Sequence, residues 1–141
     1  MRTINKLIVH CSASDNIIDD SIEAIRSLHT SPKDKKILWG TYQTTGKGWT
    51  DVGYHFFIEK SGEIKKGRDI DRKGAHCYKQ NDNSIGVCLS GNTDFKGDQF
   101  IALTRLLQAL VILFPEVTIH GHNEFANKTC PNFDMKTFKT I

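Results

Sequence analysis

The fold is decided by the run KLIVHC, Lys6–Cys11, in which three apolar residues lead into a histidine. A short apolar run that stops at a polar residue, here Ser12, is typical of a buried β-strand. His10 stands at the carboxyl end of this strand, where α/β sheets place their ligand sites. The run therefore predicts a buried strand with a candidate site residue at its end, although packing alone would also explain a single histidine.

Outward from this strand, turn residues divide the chain into alternating strands and helices. Asp19 and Asp20 are candidate caps of a helix that ends at Ser31-Pro32. Residues 33–53 predict a long surface loop, in which 38–42 suit one short strand or turn. The other predicted elements are a hairpin at 54–60 and 63–67, a strand at 84–90, a long helix at 98–114, a strand at 117–120 and a short helix at 134–138. This order predicts a single α/β domain with a central mixed β-sheet flanked by about three helices.

The composition is that of one globular domain. The chain has 141 residues, of which 38% are apolar and 25% charged, so it can bury a core and is too apolar to be disordered. The net charge of +3 is mild and the basic runs are short, so we expect no nucleic-acid partner. We expect no membrane partner, because the longest apolar stretch is far shorter than a membrane span and no signal peptide is evident. We also expect a monomer.

A second group of candidate site residues lies in the segment HGHNEFANKTCP at 120–131. His120 and His122 flank a glycine after a predicted strand, and Cys130 follows. Neutral imidazole and thiolate are the usual zinc donors. His10, one of these two histidines and Cys130 would give three ligands and an open position, as in catalytic zinc sites, where bound water becomes reactive near neutral pH. The spacing matches no zinc-finger pattern, so an ordinary buried thiol remains the alternative for Cys130.

Four separated blocks carry a resemblance to a known family. They are VHCSA at 9–13, GWTDVGYHF at 48–56, NSIGVCL at 83–89 and HNEFANKTCPNFD at 122–134. In this order they resemble the zinc-dependent type-2 N-acetylmuramoyl-L-alanine amidases, above all the short lysozyme-amidases (endolysins) of tailed bacteriophages, with peptidoglycan recognition proteins as more distant relatives. The resemblance spans about residues 7–138. It departs from the short phage enzymes at 32–47, where this chain is longer, which leaves the role of this loop open.

The resemblance implies a set of metal ligands. In that family they are the histidine of the first strand, a histidine eight residues before a cysteine, and that cysteine. The corresponding residues here are His10, His122 and Cys130, which would bind one Zn²⁺ per chain.

The resemblance also implies catalytic residues, which fall on Tyr54 and Lys128. A lysine can donate to the oxyanion, and a tyrosine can orient the water or pass its proton to the leaving amine; the sequence does not decide which of the two handles the proton. His76, Asn83 and Trp49 are the expected substrate-binding residues.

The activity that the resemblance implies is hydrolysis of the amide bond between N-acetylmuramic acid and L-alanine in bacterial peptidoglycan, the expected partner. It implies a phage or prophage endolysin in which residues 1–141 form one zinc amidase domain without a separate cell-wall-binding domain. Such a protein would stay in the host cytoplasm until its release to the periplasm or cell wall. The alternatives are a non-catalytic peptidoglycan-binding module, against which the presence of Cys130 counts, and an antibacterial amidase toxin.

Overall fold

The computed structural model describes residues 2–141, and its architecture centres on a five-stranded sheet. The strands and α-helices in chain order are β1 (Lys6–Cys11), α1 (Ile22–Thr30), β2 (Lys36–Trp39), β3 (Tyr42–Thr45), β4 (Phe56–Ile58), β5 (Ile64–Lys66), β6 (Ser84–Leu89), α2 (Gly97–Leu113) and β7 (Thr118–Gly121). The sheet has the strand order β5-β4-β6-β1-β7. β1 is parallel to β6 and β7, β4 is parallel to β6, and β5 is antiparallel to β4. The predicted α/β domain with a central mixed sheet is confirmed.

Strand β1 separates the main core from the face that carries the site. Leu7 and Val9 pack in one apolar cluster with Leu103 and Leu107 of α2. Because successive side chains of a strand point to opposite faces, His10 is directed away from α2. It is almost completely buried on the face that α1 covers. The strand therefore anchors the core with one set of side chains and presents the histidine with the other.

The expected long loop at 33–53 contains a second sheet, which we call the β2–β3 hairpin. β2 and β3 pair antiparallel, from Lys36 opposite Thr45 to Trp39 opposite Tyr42. Tertiary contacts hold the hairpin: the Trp39 indole donates to the Ser12 carbonyl at 2.6 Å, and the Tyr42 hydroxyl donates to the Ala13 carbonyl at 2.9 Å. The prediction of a loop was wrong because each strand has only four residues, β3 is largely polar, and the hairpin depends on these contacts with the segment that follows β1.

The third predicted helix is absent from the described part of the chain. Residues 134–137 are irregular with a turn at 136–137, and a single 3₁₀ turn follows at Phe138–Thr140. A stretch of five residues is too short to offset the cost of helix nucleation, whereas the side chains of Met135 and Phe138 are buried without it. Residues 2–141 thus contain two α-helices rather than about three, and neither is long and apolar enough to cross a bilayer.

The cap of α1 also differs from the prediction. Ser21 is the N-cap, and its hydroxyl accepts a hydrogen bond from the Ala24 N–H at 3.0 Å. Asp19 instead accepts from the Ser14 hydroxyl and the Gly40 N–H, while Asp20 accepts from the backbone of Lys60. The two aspartates therefore bind the loops around α1 rather than its first turn.

Two buried histidines should make the metal-free fold sensitive to acid. Burial, followed by the charges of Lys47 and Arg68, lowers the pKa of His29 to about 4, and burial also lowers the pKa of His55 to about 4. In the unfolded chain a histidine titrates near pH 6.5, so between about pH 6.5 and 4 the unfolded state binds more protons. This contribution to the free energy of unfolding is complete above pH 6.5 and decreases as the pH falls. We expect a loss of about 2 kcal/mol per histidine between pH 7 and pH 5.

Urea denaturation in the presence of a chelator measures this loss without interference from metal release. The expected result is a midpoint that falls steadily from pH 7 to pH 5. A midpoint that is constant or rises over this interval would show that neither imidazole is held neutral by the fold.

Candidate active site

Two parallel strands bring His10 and His122 together. Val9 of β1 lies opposite Gly121 of β7, so the next residue of each chain segment emerges at the same carboxyl edge of the sheet. His122 begins a 3₁₀ turn, His122–Glu124, immediately after β7. As a result, the Nδ1 atoms of His10 and His122 lie 3.1 Å apart.

Cys130 completes the cluster from the following loop. The loop is tied back by the Asn123 N–H, which donates to the Cys130 carbonyl at 2.8 Å. The Cys130 sulfur accepts a hydrogen bond from the backbone N–H of Cys11 at 3.1 Å, next to His10. One ligand atom each from His10, His122 and Cys130 lies within 4.8 Å of the other two.

The chemistry of these three side chains fits a zinc ion. Burial, followed by the neighbouring His76, His122 and Lys128, lowers the pKa of His10 well below its usual range, and burial also lowers the pKa of His122. Both imidazoles are therefore neutral at pH 7, which is the form that binds metal. Contact with the Cys11 thiol and burial raise the pKa of Cys130, and a bound cation opposes this effect because it favours the thiolate.

His120, the other histidine of the segment, is held outside the cluster. Its Nδ1 lies 2.9 Å from a carboxylate oxygen of Glu124, and its Nε2 lies 2.6 Å from the Thr118 hydroxyl. The second carboxylate oxygen of Glu124 accepts from the Gly121 N–H. Between the two histidines that the spacing left open, the fold brings only His122 to the cluster.

Tyr54 and Lys128 both lie beside the cluster. The ring of Tyr54 is 5.1 Å from that of His10. Burial, followed by the nearby thiols of Cys88, Cys130 and Cys11, raises the pKa of Tyr54 well above its usual value, so it carries a neutral hydroxyl that can donate a proton. The Lys128 side chain is exposed, and its positive charge contributes to lowering the pKa of both clustered histidines.

A cleft crosses the cluster. One cavity, of about 440 Å³, lies between α1, the β2–β3 hairpin and the cluster, and its walls include Trp39, Tyr42 and Lys47. A second cavity, of about 320 Å³, is lined by residues that include Trp49 and Tyr78. His122 and Lys128 line both cavities, so the candidate metal ligands lie where the two halves of the cleft meet.

The three expected substrate-binding residues have different environments. Trp49 is half-buried in the wall of the second cavity, with its ring 4.9 Å from that of His29. His76 also lines this cavity, but it is buried and both of its ring nitrogens face protein partners. Asn83 lines neither cavity. It precedes β6 and so lies at the amino ends of the parallel strands, whereas the cluster lies at their carboxyl ends. Its side-chain amide donates to the Thr3 carbonyl at 3.1 Å. The structure therefore does not bring Asn83 to the cleft.

Sequence reasoning missed Lys47 as part of the cleft. Its side chain lines the first cavity because Lys47 lies two residues after the end of the β2–β3 hairpin, which the sequence did not predict. An isolated lysine between two glycines, Gly46 and Gly48, gives no signal by itself.

The chain is similar to several known proteins. A family model described as N-acetylmuramoyl-L-alanine amidase matches residues 1–133. The endolysin of Escherichia phage T7 is 36% identical over 138 residues, covering 92% of this chain and 82% of the relative, and that of Klebsiella phage KP32 is 35% identical over 140 residues, covering 94% and 83%. The structure of N-acetylmuramoyl-L-alanine amidase LysC from Clostridium intestinale URNW superposes with a TM-score of 0.80 at 23% identity, covering 99% of this chain and 85% of that chain.

Proposed function

Because the chain belongs to the family of N-acetylmuramoyl-L-alanine amidases, we propose that it is a zinc-dependent hydrolase of bacterial peptidoglycan. The bond it cleaves is the amide between N-acetylmuramic acid and the L-alanine of the stem peptide. Its biological role is that of a phage or prophage endolysin, which reaches the host cell wall after release.

One observation carries this proposal: three zinc-type donors, His10, His122 and Cys130, converge at the point where the two cavities of the cleft meet. A scissile bond between a glycan and a peptide has a polymer on each side. A cleft that extends in two directions from the cluster has room for both.

The residues around the cluster have separate parts in the reaction. His10, His122 and Cys130 would hold a zinc ion, which would supply a reactive nucleophile near neutral pH by acidifying water. Lys128 carries a positive charge at the junction of the two cavities and stabilises the negative charge that develops on the carbonyl oxygen. The Tyr54 hydroxyl orients the attacking water or donates a proton to the leaving amine. Trp49 packs against the substrate in the second cavity.

The proposal is tested by digesting purified peptidoglycan with zinc-loaded protein and identifying the products by mass spectrometry. We expect free stem peptides that begin with L-alanine, together with intact glycan strands. Removal of the metal with a chelator should abolish this release, and added Zn²⁺ should restore it.

Three results would count against the proposal. Disaccharide-peptide products would indicate a glycosidase, and undiminished release after exhaustive chelation would exclude the metal mechanism. Binding to peptidoglycan without any product from the zinc-loaded protein would identify the non-catalytic binding module instead.

A further inference from the structure

A chain of hydrogen bonds runs from the metal cluster into the sheet. The Nε2 of His10 lies 2.8 Å from the Nδ1 of His76. The Nε2 of His76 lies 3.1 Å from the Ser84 hydroxyl oxygen, which in turn lies 2.7 Å from the Gln80 carbonyl oxygen. These contacts connect His10 to Ser84, the first residue of β6. They begin at Nε2, the ring nitrogen of His10 that does not contact His122.

The direction of each hydrogen bond follows from counting protons. A contact of 2.7 Å between a hydroxyl and a carbonyl oxygen requires a proton between them, so Ser84 donates to Gln80. Ser84 has only one proton, so it must accept from the Nε2–H of His76. Burial disfavours a charged ring, and the remaining nitrogen of His76, Nδ1, then carries a lone pair. His10 must therefore donate from Nε2, which leaves the lone pair of His10 on Nδ1.

The ring of His76 is fixed in place by its surroundings. The side-chain oxygen of Asn81 accepts hydrogen bonds from the backbone N–H groups of His76 and Cys77, both at 3.0 Å. Gly86 of β6 lies directly beneath the ring, and a Cβ atom at this position would lie 2.6 Å from the His76 Cγ. The absence of a side chain at Gly86 thus creates the space that the imidazole occupies.

We propose that His76 is a positioning residue: through the chain Gln80–Ser84–His76 it fixes the proton of His10 on Nε2 and so presents Nδ1 to the metal site. The inference rests on the proposed function for the identity of the site, but the proton position is a property of the metal-free chain. Hydrogen bonds of this kind to ligand histidines commonly raise metal affinity about 10- to 100-fold. His76 is thereby assigned to His10 rather than to substrate.

The first test needs no substitution. Long-range ¹H–¹⁵N correlation spectra of the metal-free protein distinguish the two neutral forms of a histidine, and we expect His10 and His76 both in the Nε2–H form. A His10 protonated on Nδ1 would overturn the inference. The protein could then still bind zinc and cleave peptidoglycan, so this failure is distinct from failure of the proposed function.

The second test compares His76→Leu, His76→Asn and His120→Asn by competition with a chromophoric zinc chelator. Leucine removes the acceptor, and we expect zinc affinity to fall about 10- to 100-fold. The side-chain oxygen of asparagine can accept from His10 Nε2, so His76→Asn should recover most of this loss. His120→Asn, a matched change at a histidine bonded to Thr118 and Glu124, should bind zinc like the unaltered protein.

The outcome of this comparison decides the inference in either direction. Equal affinities for His76→Leu and the unaltered protein would refute it. If His76→Leu does not fold, His76→Asn alone decides the inference. A loss of zinc affinity of about 10- to 100-fold in His76→Asn would also refute it, because this variant keeps a hydrogen-bond acceptor for His10.

Discussion

His122→Ala should abolish amidase activity while leaving the fold intact. The substitution removes one of the three proposed metal donors, whereas His122 lies outside the two apolar core clusters, after the end of β7. Loss of the metal removes several kcal/mol of transition-state stabilisation, so we expect the rate of stem-peptide release to fall at least about 10³-fold. The measurements are the rate of release from purified peptidoglycan, the zinc content and the far-ultraviolet circular dichroism spectrum.

The matched control for this prediction is His120→Ala, two residues earlier in the chain. Its imidazole contacts Thr118 and Glu124 rather than the cluster, so this variant should retain zinc and most of its activity. The reverse pattern, with His120→Ala inactive and His122→Ala active, would show that the wrong histidine has been placed in the site.

Lys128→Ala should keep the metal and lose turnover. After burial, the positive charge of Lys128 is one of the causes that lower the pKa of His10 and His122, so the same charge opposes a bound cation. Its removal should leave zinc affinity unchanged or slightly higher. In the proposed mechanism the ammonium group stabilises the charge that develops on the carbonyl oxygen, so kcat should fall about 10²- to 10³-fold.

The control here is Lys136→Ala, which removes an exposed lysine that lines neither cavity. Steady-state rates and zinc titrations of the two variants separate catalysis from metal binding. Full activity of Lys128→Ala would remove Lys128 from the mechanism, and loss of zinc from it would mean that the residue supports the site rather than the reaction.

Much of the fold could be predicted because its central elements have strong local patterns. The apolar run of β1 and the dense apolar spacing of α2 indicate buried elements without any tertiary information. The β2–β3 hairpin lacks such a pattern, since its strands have four residues each, β3 is largely polar, and Trp39 and Tyr42 hold both against the loop after β1. In the segment at 134–138 the sequence predicted a helix that does not form. Its apolar residues suit a helix, but Met135 and Phe138 are buried without one.

The candidate site also has a part that the sequence predicts and a part that it does not. Donor types and family resemblance select His10, His122 and Cys130 from the sequence, and parallel strands bring the two histidines together. The hydrogen bond between His10 and His76 spans 66 residues and depends on the space above Gly86, which is a property of strand packing. No spacing rule relates such residues, so the sequence suggested a substrate contact for His76.

The central claim is that three side chains hold one metal ion and leave a position open. X-ray absorption spectroscopy at the zinc edge of protein loaded with one equivalent of Zn²⁺ tests it most directly. We predict one sulfur neighbour at about 2.3 Å and nitrogen or oxygen neighbours at about 2.0–2.1 Å, two of them imidazoles. A spectrum without sulfur would contradict the assignment of Cys130, and one with two sulfurs would show that Cys11 fills the position that catalysis requires to be open.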